Sequence, residues 1–281
     1  MKIDQCALRV MLAACLCLAG SAQAALVDRG GGLIYDTVLD VTWLQDADYA
    51  RTLYDIANPP PPPYECNEPN EEDCPPPVFY EPFDGLNFAD ANAWADGLEY
   101  YDSERDVTWD DWRLPNVGPI NGSTYLLNTT YNGTSDNGYA LTTTNGSDGG
   151  WRDGDGNPVS EMGHMFYVNL MNLGACTATP QASSTCISQP NRVLSTGIFI
   201  NLSVEPFGAY WGNATAVPGD AWIFDTYSGF GARTTNKTRL WTAWAVRDGD
   251  VAPAVIPVPA AVWLLSSALG LMSWLRRKAT V

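Results

Sequence analysis

The stretch Asp111-Trp112-Arg113-Leu114-Pro115 reads as a β-strand from its period of two. Trp112 and Leu114 fall on one side and Arg113 on the other. Pro115 has no N–H to donate and ends the pairing. A second stretch alternates the same way. Leu240, Thr242, Trp244 and Val246 face one side, and Trp241, Ala243, Ala245 and Arg247 the other. Trp222 and Phe224 share one face of a further short strand. These segments are expected to be half-buried strands of a mixed sheet. Leu33 to Tyr35 and Val41 to Leu44 flank an Asp-rich turn and predict an opening hairpin. A buried guanidinium must be paired, so Arg113 and Arg247 are expected to meet buried carboxylates.

Two helices stand out. Asn87 is placed to cap one that runs to Leu98, with Ala91, Trp94, Ala95 and Leu98 on one face. Ser160 is placed to cap another, with Met162, Met165, Phe166, Leu170 and Leu173 aligned and Gly174 as the stop. His164 lies off that stripe and reads as a satisfied or solvent-facing structural residue. Tyr54 to Pro82 is acidic and Pro-rich, with Pro59 to Pro63 unbroken, which argues against helix or central strand there. It is expected to be an exposed loop, partly polyproline II. The fold class that follows is α+β, a single mixed-sheet domain with two main helices.

The chain has 281 residues, 46% of them hydrophobic, and a net charge of −17. Apolar content on that scale supports a core and excludes disorder throughout. The acidity argues against nucleic acid or another polyanion as the main partner. One histidine removes most His-based metal sites and argues against a Ser-His-Asp triad. Between Ala25 and Asp250 the acidity is greater still, with 31 acidic against 10 basic residues. A solvated acidic face that keeps an exported protein soluble is the plain reading.

The two ends read as addresses. Residues 1–24 resemble a signal peptide: Lys2 and Arg9, an apolar run, then Ala22-Gln23-Ala24 as an A-x-A cleavage site. Leu12-Ala13-Ala14-Cys15 resembles a lipoprotein box and ranks below cleavage after Ala24. Residues 251–281 carry an apolar run closed by Arg276-Arg277-Lys278. Counted from Val255 to Leu275, a helix of 21 residues spans about 31 Å, enough for one transmembrane helix with the basic cluster in the cytoplasm. The layout of Pro257-Val258-Pro259, apolar helix and basic cluster resembles the bacterial PEP-CTERM sorting signal, in its Val-Pro-x-Pro variant. That resemblance implies an exosortase-like processing enzyme as partner.

The exported residues 25–250 resemble a second family. Leu33-Ile34-Tyr35-Asp36 with Val41-Thr42-Trp43-Leu44, Ala91-Asn92-Ala93-Trp94-Ala95, Asp111-Trp112-Arg113-Leu114-Pro115 and Ala243-Trp244-Ala245-Val246-Arg247 are similar to the DUF1566 pattern. That domain is also called the C-terminal domain of Legionella collagen-like protein (Lcl). The resemblance implies a fold related to C-type lectins and sulfatase-modifying factors. It implies binding or surface roles rather than catalysis.

Candidate sites are few. Asp153-Gly154-Asp155-Gly156-Asn157 alternates oxygen side chains with glycines and is a candidate calcium loop, with Glu161 closing the shell. Ordinary Asp-Gly turn chemistry is the competing reading. Trp151 and Trp211, beside glycines, are candidate surface aromatics for stacking on sugars. Cys66, Cys74, Cys176 and Cys186 stay in the exported part and allow three pairings. The local pairs, Cys66–Cys74 and Cys176–Cys186, would staple two loops; a Cys₄ zinc site is the weaker rival. The expectation is an exported envelope or extracellular-matrix protein, membrane-anchored or released. It would be non-catalytic and bind carbohydrate, such as an extracellular polysaccharide, or protein. The alternatives are a carboxylate-based glycan hydrolase and a structural matrix component without a ligand.

Overall fold

Asp36 bends the chain after the first hairpin strand, because its Oδ1 accepts hydrogen bonds from the Val38 and Leu39 amides. In the computed structural model, which describes residues 26–59, 83–141, 149–204, 208–215 and 219–251, this hairpin starts the first of two sheets. Leu26–Asp28 (β1), Leu33–Asp36 (β2) and Val41–Leu44 (β3) run antiparallel, and Val246–Asp248 (β13) closes the sheet against β3. The second sheet consists of Thr129–Thr130 (β6), Asn137–Gly138 (β7), Ala209–Trp211 (β10), Ala221–Asp225 (β11) and Phe230–Thr234 (β12), in the order β10-β11-β12-β7-β6. All its pairs are antiparallel except β6–β7. Two hairpins stand apart, Tyr100–Asp102 (β4) with Val107–Trp109 (β5), and Cys176–Thr177 (β8) with Ile187–Ser188 (β9).

The described chain is therefore a mixed α+β fold, mostly strand, with three helices. The strands form two main sheets where the alternation predicts one, and a further helix stands beside the two expected. Tyr49–Ala57 (α1) occupies part of the stretch read as a Pro-rich loop. Phe88–Asp96 (α2) starts as expected, with the Asn87 side chain accepting from the Asp90 amide, and ends at Gly97. Ala91 and Ala95 are wholly buried beneath it. Glu161–His164 (α3) is capped by Ser160 Oγ, which accepts from the Gly163 amide. It then widens into a π-helical turn, Met165–Asn169. Met171 in the left-handed region (φ 54°) follows it, so Gly174 is not the stop and Leu173 is exposed.

One segment joins the two sheets. Thr242 exchanges backbone hydrogen bonds with Ala209 and Trp211 at the edge of the second sheet. Four residues later Val246 enters the first sheet opposite Trp43. Between them Trp244 is buried among Trp43 (4.6 Å between centroids), Phe199 (4.8 Å) and Tyr210 (5.8 Å). Its indole N–H donates to the Leu44 carbonyl at 2.8 Å. Both faces of Ala243 to Arg247 are buried, so this is a central thread and not the half-buried strand its alternation suggests. The main core runs from Leu33, Trp43 and Trp112 through Trp244 to Phe166, Tyr167 and Phe224.

The two motifs that decide the fold lie side by side. Arg113 and Val246 exchange two backbone hydrogen bonds, at 2.8 and 2.9 Å. The strand expected at Asp111 to Pro115 is only an isolated bridge at Arg113 opposite Val246, and the arginine of each segment reaches an aspartate of the other. Arg247 binds Asp111 through Nε and Nη2 (2.7 and 2.8 Å), and Arg113 binds Asp248. Arg113 also forms a two-pronged pair with Glu161 at 2.8 Å and 2.8 Å. Of the three carboxylates only Glu161 is buried, so the expected burial of the partners holds for Arg113 and not for Arg247. The Trp109 ring supplies the rest, 4.2 Å from the Arg247 guanidinium.

Cys176 and Cys186 form a disulfide, with Cα atoms 5.1 Å apart, at the mouth of the β8–β9 hairpin. Cys66 and Cys74, the signal-peptide residues Ala22 and Ala24, and the sorting residues Pro257, Pro259, Arg276, Arg277 and Lys278 lie outside the described residues. So does the transmembrane helix expected at the C-terminus. Among the described residues no helix is long and apolar enough to cross a membrane.

Candidate functional site

The residues proposed from sequence do not come together. Trp151 and Trp211 are 3% and 0% exposed. Neither can stack on a ligand, and the surface reading of both is corrected. The Trp151 ring lies against Gly163 and Gly231, and its N–H donates to the Ser135 carbonyl. Trp211 packs edge-on against Phe88 and donates to the Leu86 carbonyl. The glycines that make room for the Trp151 ring are Gly163 and Gly231, not its neighbours in the chain.

The calcium loop is a closed turn. Asp153 Oδ1 accepts from the Asp155 and Asn157 amides, and Oδ2 from the Asn157 side chain. These bonds, led by those from Asn157, lower the Asp153 pKa. Glu161 is not available to close a shell, because Arg113 and the Asn116 amide take its oxygens. Among the described residues no three His, Cys, Asp or Glu side chains are grouped to hold a metal ion.

A different place on the surface has the shape of a site. A polar cleft opens beside α1, in two lobes of about 410 and 120 Å³ that share Asp48, Arg51 and Thr242. The larger lobe adds Thr52, Asp55, Asn201 and Ser203. The smaller adds Phe83, Asp84, Gly85 and Trp241. The size falls in the range of small-ligand pockets, roughly 300–1,000 Å³.

Local chemistry builds its walls. Asp46 Oδ1 accepts from the Asp48 amide (3.0 Å) and from the Asn201 side chain (2.9 Å), and Oδ2 from the Thr52 hydroxyl (2.6 Å). One carboxylate thus ties the start of α1 to the Asn201 loop. On the other side Leu86 and Trp241 exchange backbone hydrogen bonds. Gly85 allows that approach. Its φ is +105°, and a Cβ there would meet the Trp241 carbonyl oxygen at 2.8 Å. Arg239 covers the Trp241 ring at 4.9 Å, and Phe83 packs near Tyr54 at 5.4 Å.

Two buried polar atoms in this wall have no hydrogen-bond partner, Asp48 Oδ1 and Trp241 Nε1. Burial, opposed by the Arg51 charge, pushes the Asp48 carboxyl up to about 6. Burial also raises the Tyr210 hydroxyl behind it. Arg51 leans on Asp55 at 3.6 Å. The arrangement offers an aromatic edge, hydroxyls, an amide and a carboxyl that changes charge near neutrality. An Asp-x-Asp pair just before an amphipathic helix was the sequence signal for it, hidden by the proline run that follows.

A second buried group is chemically unusual. His164 is 2% exposed, and neither ring nitrogen has a hydrogen-bond partner. It is neither satisfied nor solvent-facing. Asp36, held by the Asn169 side chain at 2.6 Å, is the nearest acidic influence, and Arg152 the opposing one.

Comparison with family models, curated proteins and solved structures finds no match to this chain.

Proposed function

We propose that this chain is an exported envelope or extracellular-matrix protein. Its α+β domain binds carbohydrate without catalysis, through the cleft beside α1. The observation that carries the reading is the cleft's lining. Trp241 and Phe83 supply apolar surface for a sugar ring, while Asp48, Asn201, Ser203 and Thr242 supply hydrogen-bonding groups for its hydroxyls. The kinship to DUF1566 and Lcl domains, and through them to C-type-lectin-like and sulfatase-modifying-factor-like folds, belongs to the same proposal. Its support is the pattern of Asp111 to Pro115 and Ala243 to Arg247. Export rests on the signal-peptide pattern. Sorting by an exosortase-like enzyme and anchoring by the C-terminal helix rest on Pro257, Pro259 and the Arg276-Arg277-Lys278 cluster.

One observation favours a second reading, a carboxylate-based glycan hydrolase. The Asp48 carboxyl, set in the cleft and pushed by burial up to about 6, keeps a protonated fraction in mildly acidic solution that can serve as a general acid. A glycan array followed by calorimetric titration, on the full chain in detergent micelles, separates the readings. Binding that Trp241→Ala weakens at least tenfold, without product release, supports the proposal. Release of shortened sugars that Asp48→Asn abolishes supports the hydrolase. No binding to any glycan leaves a structural matrix component.

A further inference from the structure

We infer that the cleft beside α1 prefers hexosamine oligosaccharides with free, protonated amines over their N-acetylated or uronate counterparts. The inference deepens the carbohydrate reading above and rests on it.

The charge of the described lining is mostly negative, with Arg51 within it and Arg239 over the Trp241 ring beside it. Asp48, Asp55 and Asp84 line it, and Asp46 stands directly behind its wall. Arg51 is the one basic residue among the described lining, and Asp55 already holds it. Asp84 is exposed at the rim, placed to meet an ammonium group without a large desolvation cost. Asp46 has its oxygens taken by three donors, so it contributes field rather than contact. The site is more than a group of acids. It is a cavity of about 410 Å³ lined by the Ser203 and Thr242 side chains that continues into a lobe with an aromatic wall. A neutral sugar satisfies only the hydroxyl and ring contacts. A free amine adds a charge-assisted bond to a carboxylate. A uronate places a like charge among three aspartates and meets an exported body of 31 acids against 10 bases.

The test is calorimetric titration of the full chain in detergent micelles at low salt and pH 7. The probes are a glucosamine tetramer, its fully N-acetylated form, a galacturonate tetramer, and spermidine as an amine without a sugar ring. The inference expects the glucosamine tetramer to bind at least tenfold more tightly than the N-acetylated form, with galacturonate weakest. The preference should shrink several-fold as salt rises, because rim charges are screened. It should also fall several-fold in Asp84→Asn, which removes the exposed rim carboxylate. Equal affinity for the free and acetylated tetramers overturns the inference and leaves the carbohydrate reading standing. Spermidine binding as tightly as the glucosamine tetramer shows that charge alone is read and also overturns it. Failure of all sugars to bind overturns the carbohydrate reading itself.

Discussion

Asp48 sits where burial and function pull in opposite directions. Its folded pKa of about 6 lies above the usual 3.8. The folded state therefore favours the protonated form. The associated stability is complete below pH 3.8 and is lost as pH rises through about 6. Above pH 7 the buried carboxylate is a cost, and Asp48→Asn should stabilise the fold by about 1–2 kcal/mol at pH 8. The gain should disappear near pH 4, which urea unfolding at the two pH values measures. His164 carries the opposite sign. Burial holds its pKa below 6.5, so the stability it contributes is present above 6.5 and lost as pH falls through the lowered folded value. Between pH 7.5 and 5, the melting temperature of the native chain should fall further than that of His164→Gln. Equal slopes would show that the ring is not held neutral.

At the scale of elements, the clasp between Asp111 to Pro115 and Val246–Asp248 is the part that joins distant sequence. Removing Arg113 would leave Glu161 buried without its charge partner. Arg113→Ala should therefore cost about 2–4 kcal/mol, and Arg113→Ala with Glu161→Ala clearly less than the sum of the singles. A double-mutant cycle by urea denaturation measures the difference. The same elements show what a sequence can disclose. The β2–β3 hairpin, the Asn87 cap and the Ser160 cap were legible, because period, cap and turn chemistry are local. Trp112 and Leu114 were legible as inward-facing for the same reason. α1 was not, because Pro59 to Pro63 dominates the composition two residues past its end. The burial of Trp151 and Trp211 was not, because the glycines that receive the Trp151 ring, Gly163 and Gly231, are far off in the chain. The cleft draws its lining from five separate segments, and only the Asp46-x-Asp48 pair before α1 marks it locally.

At the scale of the whole molecule, Trp244 and the thread around it hold the two sheets together. Its ring meets Trp43, Phe199 and Tyr210, drawn from three parts of the chain. Trp244→Ala should cost about 3–5 kcal/mol, enough to unfold a marginal domain, and the loss of near-ultraviolet circular dichroism would report it. The Cys176–Cys186 disulfide is peripheral by comparison. Replacing both cysteines with serine should cost about 2–3 kcal/mol, the chain entropy released by so short a loop, with the second sheet intact. The cleft lies at the margin of this frame, between α1, the Asn201 loop and the edge at Trp241, whose ring packs against the second core cluster. Hydroxyl-radical footprinting of the full chain, with and without a saturating glucosamine tetramer, reads the site directly. Protection should concentrate at Asp48 to Asp55, Phe83 to Gly85, Asn201 to Ser203 and Leu240 to Thr242. Protection that leaves those residues unchanged and appears elsewhere on the surface would contradict a carbohydrate site in the cleft.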